Sequence, residues 1–277
     1  MAEITLTPKE LPSVPLEVEI SPDTVAGKSI EDIKKIIIMK GNREVELGEF
    51  FNVEGSSTDN VSDIKIVING NIDSVKYIGQ GMTAGEIIVK GNAGMHTGDD
   101  MKGGKILVEG DCGDFCASEI KGGEIEVKGS AGNYLAAAKR GTWRGSSKGK
   151  VIVHGNCGAE TAAWMRGKTI VLNIKGNARA YLGTHMHLGT IIVDGDVDPR
   201  VGAEMSGGKI IIHGKLTELL PSFSYIGEVK EIELSETDKI TGDYLKFEGD
   251  FANISPKAKK KGEIYLAKGK NQDLIPK

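Results

Sequence analysis

A repeat of about nineteen residues governs what this chain can fold into. Glycines fall at Gly91, Gly110, Gly129, Gly155, Gly176, Gly195 and Gly214, in steps of 19, 19, 26, 21, 19 and 19, and Gly70 stands 21 before the first. The residues ahead of each glycine look alike, as in Glu86-Ile87-Ile88-Val89-Lys90, Lys105-Ile106-Leu107-Val108-Glu109 and Lys209-Ile210-Ile211-Ile212-His213. Branched apolar side chains stand two and four residues before the glycine, and the residue just before it is mostly charged. A period of two over four or five residues reads as a strand with one buried face. Asn92, Asp111, Asn156, Asn177 or Asp196 follows the glycine. Such pairs tolerate positive φ and turn the chain sharply.

Extended backwards, the repeat becomes a 13-residue unit that opens on Gly, Ala or Trp and closes on glycine. The units begin at Gly79, Gly98, Ala117, Trp143, Trp164, Gly183 and Gly202. Methionine recurs at Met82, Met101, Met186 and Met205, with Ile120 in register. One such coil cannot bury its apolar face alone, but coils stacked at ~4.8 Å form parallel sheets around a continuous core. The predicted fold is all-β: a right-handed parallel β-helix of about seven coils, since the hexapeptide pattern of left-handed helices is absent. It spans residues 66–215. Residues 1–65, with short strands and a short helix opened by Ser29, form an N-terminal capping segment. Residues 216–277 form a C-terminal cap with a basic tail. Open solenoid ends need such covers.

The glycine count fits this reading: 29 of the 38 glycines lie between residues 70 and 214. A formal charge of −4 gives no global reason to expect nucleic acid. The longest uncharged apolar run, Ile36-Ile37-Ile38-Met39, is far too short to span a membrane. No secretory signal is visible after Met1, so the cytoplasm is the expected location. Three cysteines, Cys112, Cys116 and Cys157, suit a reducing compartment and read as buried structural thiols.

Two features point outward. The step of 26 carries seven extra residues within a basic stretch, Lys139-Arg140-Gly141-Thr142-Trp143-Arg144-Gly145-Ser146-Ser147-Lys148-Gly149-Lys150. Lys139, Arg140, Trp143, Arg144 and Trp164 are therefore candidate partner contacts, against the plainer reading of a solvated loop. The nominally outward strand position reads Ile88, Leu107, Glu126, Ile152, Asn173, Ile192 and Ile211. Ile88, Leu107, Ile152, Ile192 and Ile211 would form an apolar stripe. Either the terminal segments cover it or another protein does; seven coils offer more stripe than short caps hide, which favours a partner.

Signals for catalysis are weak. His185-x-His187 lacks a third ligand for a catalytic zinc, and three thiolates fall short of the four that an iron–sulfur cluster needs. Gly79-x-Gly81 recurs as a corner motif and does not form a nucleotide loop. Asp99, Asp100, Glu119 and Glu204 occupy related positions, as acids do in polysaccharide-cleaving β-helices, but they are scattered. No catalytic, cofactor-binding or metal-binding residue is assigned.

The spacing, the sevenfold Gly/Trp…Met…Gly unit, and the tail segments Leu245-Lys246-Phe247-Glu248-Gly249-Asp250-Phe251-Ala252 and Lys261-Gly262-Glu263-Ile264-Tyr265-Leu266 resemble the C subunit of formylmethanofuran dehydrogenase over nearly the whole chain. The repeat region is also similar to the C-terminal β-helix domain of glutamate synthase, where the helix is structural. The first resemblance implies a cytoplasmic archaeal complex that reduces CO2 at a tungsto- or molybdopterin and condenses the formate with methanofuran at a separate binuclear metal site, in the first step of methanogenesis from CO2. Electrons would arrive from a ferredoxin-type donor through iron–sulfur clusters. It implies that these cofactors belong to a pterin-binding catalytic subunit, an amidohydrolase-like subunit and iron–sulfur subunits, and that this chain is a non-catalytic scaffold. A stand-alone glutamate-synthase-type structural domain and a carbohydrate-active β-helix enzyme are the alternatives.

Overall fold

The computed structural model describes residues 1–235 and 237–276. Its main feature is a 13-stranded, mostly parallel sheet, and no helix among the described residues is long and apolar enough to cross a membrane. The repeat strands lie side by side in sequence order: Ile64–Asn69, Glu86–Lys90, Lys105–Val108, Lys121–Val127, Lys148–Val153, Thr169–Ile174, Thr190–Val193 and Lys209–Ile212. Each pairs in parallel with the next, so each repeat advances the chain by one strand. The inward positions behave as the period-two pattern requires. Ile87, Val89, Ile125, Val127, Val151, Val153, Ile191 and Val193 are all fully buried.

Two further ladders join successive repeats. After each closing corner, Ile72, Ala93, Cys112, Ala131, Cys157, Ala178, Val197 and Leu216 form a line of single parallel bridges. Beyond that line the backbone alternates between right- and left-handed conformations. The first left-handed column is Tyr77, His96, Phe115, Tyr134, Glu160, Tyr181 and Arg200, and the next is Gly79, Gly98, Ala117, Ala136, Ala162, Gly183 and Gly202. A left-handed L-residue costs roughly 1–2 kcal/mol. Here the conformation aims alternate N–H groups up and down the stack: His96 N–H donates forward to Asp114 O (3.0 Å) and Gly98 N–H backward to Ile78 O (2.8 Å).

These columns correct the register inferred from glycine spacing. The fourth and fifth units open on Ala136 and Ala162. Trp143 lies in the insert, and Trp164 sits two residues past Ala162 in the column that holds Asp100, Glu119, His185 and Glu204. The hydrogen bonds of Ser147 N–H to Ile120 O and Arg166 N–H to Ser146 O then place Ser146 in the methionine column. The seven extra residues are thus 139–145, and Met165 is a methionine of the same column, fully buried like Met82, Met101, Met186 and Met205.

The closing glycines have a different physical reason from the expected one. Gly91, Gly110, Gly129, Gly155, Gly176, Gly195 and Gly214 are absent from the positive-φ positions. Instead, the Asn or Asp after one glycine accepts a hydrogen bond from the backbone of the next repeat. Asp111 N–H donates to Asn92 Oδ1 (2.9 Å), Ser130 N–H to Asp111 Oδ1 (2.7 Å) and Asp196 N–H to Asn177 Oδ1 (2.8 Å). A Cβ on Gly110, Gly129 or Gly195 would stand 2.2–2.3 Å from that oxygen. Glycine is required because the side-chain ladder occupies the space.

The terminal segments supply the outer strands. Ala2–Pro8 pairs in parallel with Ile64–Asn69 and antiparallel with Phe51–Gly55. At the other end Gly262–Ala267 continues the parallel order, followed by the antiparallel strands Lys239–Gly249 and Ser224–Glu233. A second, four-stranded sheet joins Leu16–Glu17, Ile37–Lys40, Arg43–Glu46 and Val75–Lys76. Ser29 caps the short helix Ile30–Lys34, its hydroxyl accepting from Asp32 N–H.

A candidate partner-docking corner

The left-handed corner carries most of the polar and aromatic chemistry. Because its columns are in register, Tyr77, His96, Phe115 and Tyr134 stack with ring centroids 4.8, 4.9 and 4.5 Å apart. Arg140, from the insert, lies over the end of this stack, 5.6 Å from the Tyr134 centroid. Its Nη2 donates to the Tyr134 hydroxyl (3.2 Å), and that hydroxyl donates to Glu160 Oε1 (3.2 Å). Glu160, Trp164 and His185 border a cavity of about 300 Å³ on the same side.

Lys139, expected as a partner contact, is half-buried and engages the chain's own acids. Its Nζ stands 3.2 Å from Asp99 Oδ2 and 3.6 Å from Glu119 Oε2. Asp99 is 1% exposed. Burial holds its carboxyl above the usual range despite the opposing Lys139 ammonium. Burial also works to lower the Lys139 pKa, but Asp99 and Glu119 carry it above its ordinary value. Glu119 additionally accepts from Lys139 N–H (3.1 Å) and Thr142 Oγ1 (2.5 Å). Two of the scattered acids therefore converge, and they latch the insert to earlier repeats. Next to them, His96 Nδ1, Asp99 Oδ1 and Gln80 Oε1 are buried without a hydrogen-bond partner. Burial, with Lys139 and Lys76 nearby, pushes the His96 pKa down.

The far side of the insert is exposed. Trp143 keeps 52% of its surface accessible. The guanidinium carbons of Arg144 and Arg166 lie 5.2 and 4.4 Å from its ring centroid, and Arg166 Nη1 donates to Trp143 O (3.1 Å). Arg166 was not legible as a contact, since only the folded register brings it beside Trp143. Trp164 is half-buried and stacks on His185 at 4.0 Å. His185 Nδ1 stands 3.4 Å from Glu204, while His187 Nδ1 meets Ser206 Oγ at 2.6 Å. Asp100 pairs with Lys121.

The apolar stripe lies elsewhere, on the outward face of the strands. Ile88, Leu107, Ile152 and Ile192 are half-buried. Ile211 is completely buried, correcting its reading as an exposed contact: Ile232, Tyr244 and Tyr265 cluster over it, and Ile192 packs at the edge of that cluster. The C-terminal strands thus cover one end of the stripe.

All three cysteines are free and buried. The Cys112 side chain beside it and burial both raise the Cys116 thiol, and burial pushes Cys157 up to about 11. Among the described residues, no three His, Cys, Asp or Glu side chains come together as a metal-holding group.

No family model matches the chain. The C subunit of tungsten-containing formylmethanofuran dehydrogenase 2 from Methanothermobacter thermautotrophicus is 48% identical over 277 residues, covering 100% of both chains. Its counterpart in Methanococcus maripaludis is 43% identical over 281 residues, covering 99% of this chain and 100% of that one. The C subunit of molybdenum-containing formylmethanofuran dehydrogenase 1 from Methanosarcina barkeri matches at 41% over 97 residues, 35% of this chain and 32% of that one. Among solved structures, a chain of the formyltransferase/hydrolase complex of Methylorubrum extorquens, crystallised with methylofuran, superposes with a TM-score of 0.80 at 24% identity, covering 95% of this chain and 99% of that one. At that identity the likeness is one of fold. The full-length matches at 42–48% identity place the chain by sequence as well, and it belongs to the family of formylmethanofuran dehydrogenase C subunits.

Proposed function

We propose that this chain is the non-catalytic structural subunit of a formylmethanofuran dehydrogenase complex, in the cytoplasm, and that it holds the catalytic subunits in fixed register. Residues 66–215 wind as a right-handed parallel β-helix of about seven coils, with 1–65 and 216–277 as caps. The reaction's cofactors reside in a pterin-binding subunit, an amidohydrolase-like subunit and iron–sulfur subunits. This chain contributes no reacting group. The pterin metal is tungsten, because the relatives that match over their whole length are tungsten-containing types.

The observation that carries this reading is the end-to-end match of 48% identity over 100% of both chains. It includes the caps as well as the repeat, which a generic solenoid would not share. The mechanical rationale is the set of three inter-repeat ladders, which leaves each coil little freedom relative to its neighbours. A stiff body of that kind suits a reaction whose intermediate passes between two sites. Trp143, Arg144, Arg140, Trp164 and the uncovered stripe residues Ile88, Leu107 and Ile152 are the proposed contacts with other subunits. The test is affinity purification of the tagged chain from its native source. A co-purifying pterin-containing subunit supports the reading, whereas a flavin-dependent synthase in its place rejects it.

A further inference from the structure

The insert and the groove beside it have a chemistry that narrows what binds there. Among the described residues, Arg144 and Arg166 enter no ion pair, although both guanidiniums lie against one ring. Neither cation is neutralised within the chain's described residues, and a carboxylate brought to either guanidinium would form a charge-assisted hydrogen bond. The chain as a whole is acidic at −4, yet residues 139–145 contain three cations and no acid. Lys139 is matched by Asp99 and Glu119, so the cations of this corner that stay unmatched among the described residues include Arg144 and Arg166.

The anchor is also held in place before any partner arrives. Lys139 and Thr142 tie one side of the insert to Glu119, and Gly145 N–H donates to Trp164 O (3.2 Å) on the other. The buried Ser146 closes the insert by donating to Ala117 O (3.1 Å) and accepting from Ile120 N–H (3.2 Å). An exposed tryptophan fixed in this way loses little conformational entropy on binding.

The basic character continues beyond the loop. Trp143, Arg144 and Arg166 line a cleft of about 300 Å³. Lys168, Lys209 and Lys260 line a second cleft, of about 510 Å³, together with Glu248 and Glu263. Exposed Trp beside Arg is a protein-interface signature.

We propose that this corner is a docking site for an acidic segment of a partner polypeptide, with Trp143 as the apolar anchor and Arg144 and Arg166 as carboxylate receptors. The proposal rests on the chain's role as a subunit of a larger assembly. Its test is co-expression of the whole complex with the wild-type chain, with R144E/R166E and with W143A. Subunit retention is measured across a range of salt, and circular dichroism melts of the isolated variants establish that they are folded.

The expected result is that R144E/R166E loses one partner subunit, with association weakened roughly tenfold or more, and that W143A weakens the same subunit. Wild-type retention of that subunit should fall with salt. Folded variants that keep every subunit with unchanged salt dependence overturn this proposal and leave the assembly role standing. A wild-type chain that retains no subunit overturns both. Variants that keep all subunits but shed co-purifying nucleic acid also overturn it, in favour of a different ligand.

Discussion

Replacing Gly110 by alanine tests the physical basis of the repeat. A Cβ there would lie 2.3 Å from Asn92 Oδ1 and 2.8 Å from the Gly91 carbonyl carbon and oxygen. Backbone cannot move aside cheaply at that point, because Gly110 N–H itself donates to Gly91 O (2.9 Å). Overpacking of this kind costs about 1–3 kcal/mol. Pushing the Asn92 side chain away also removes its hydrogen bond from Asp111 N–H, for a further ~0.5–1.5 kcal/mol. Gly110→Ala should therefore destabilise the chain by about 2–4 kcal/mol, and Asn92→Ala alone by about 1 kcal/mol. In the Asn92→Ala background the 2.3 Å contact no longer exists while the two 2.8 Å contacts remain, so the double mutant should fall short of additivity by about 1 kcal/mol. Urea unfolding followed by far-UV circular dichroism measures all three. Gly269→Ala is the control, since nothing stands within 4 Å of its Cβ and its φ is not positive. A Gly110→Ala variant within about 0.5 kcal/mol of wild type, or strict additivity of the pair, would refute the steric account of the closing glycines.

Three other outcomes follow from burial and charge. Ile211→Ala, under the Ile232–Tyr244–Tyr265 cluster, should cost about 2–5 kcal/mol, and half-buried Ile88→Ala distinctly less, read from the same urea transitions. The thiols of Cys112, Cys116 and Cys157 should resist iodoacetamide at pH 8 in the native chain and all react in denaturant, as counted by mass spectrometry, because all three are buried and burial raises the Cys116 and Cys157 thiols. His96 has its pKa lowered by burial, so stability present above about pH 6.5 is lost as pH falls from there through the lowered folded-state pKa. His96→Phe, which keeps the aromatic stack, should lessen the fall in melting temperature between pH 8 and pH 5.5, with His187, also lowered by burial, contributing part of what remains.

The strand pattern of the repeat was legible because it is local. Alternation at Ile87 and Val89 or at Ile210 and Ile212 depends only on which side of a strand a residue faces, and those side chains are buried as the pattern requires. The insert blurred the rest. Seven residues added at 139–145 make Trp143 mimic a unit start, and two extra residues between Met165 and Gly176 do the same for Trp164, so Ala136, Ala162 and Met165 are hidden. The left-handed corner was harder still. His96, Phe115 and Tyr134 hold positive φ without being glycine, because bonds to neighbouring repeats stabilise them, and no local signal in the sequence marks that. The Lys139–Asp99 contact joins residues 40 apart, a separation fixed only by the stacking. Cover over Ile211 comes from strands that return to the sheet after it ends, which the repeat itself cannot announce.

The scaffold role is tested most directly by omitting this chain from an otherwise complete, purified complex. Three quantities are then compared with the intact assembly: which subunits remain together, the rate of each half-reaction measured alone, and the rate of formylmethanofuran formation from CO2. A scaffold predicts that the assembly falls apart and the overall rate collapses while the separate half-reactions persist. A complex that assembles fully and couples the two steps at the intact rate without this chain would contradict it.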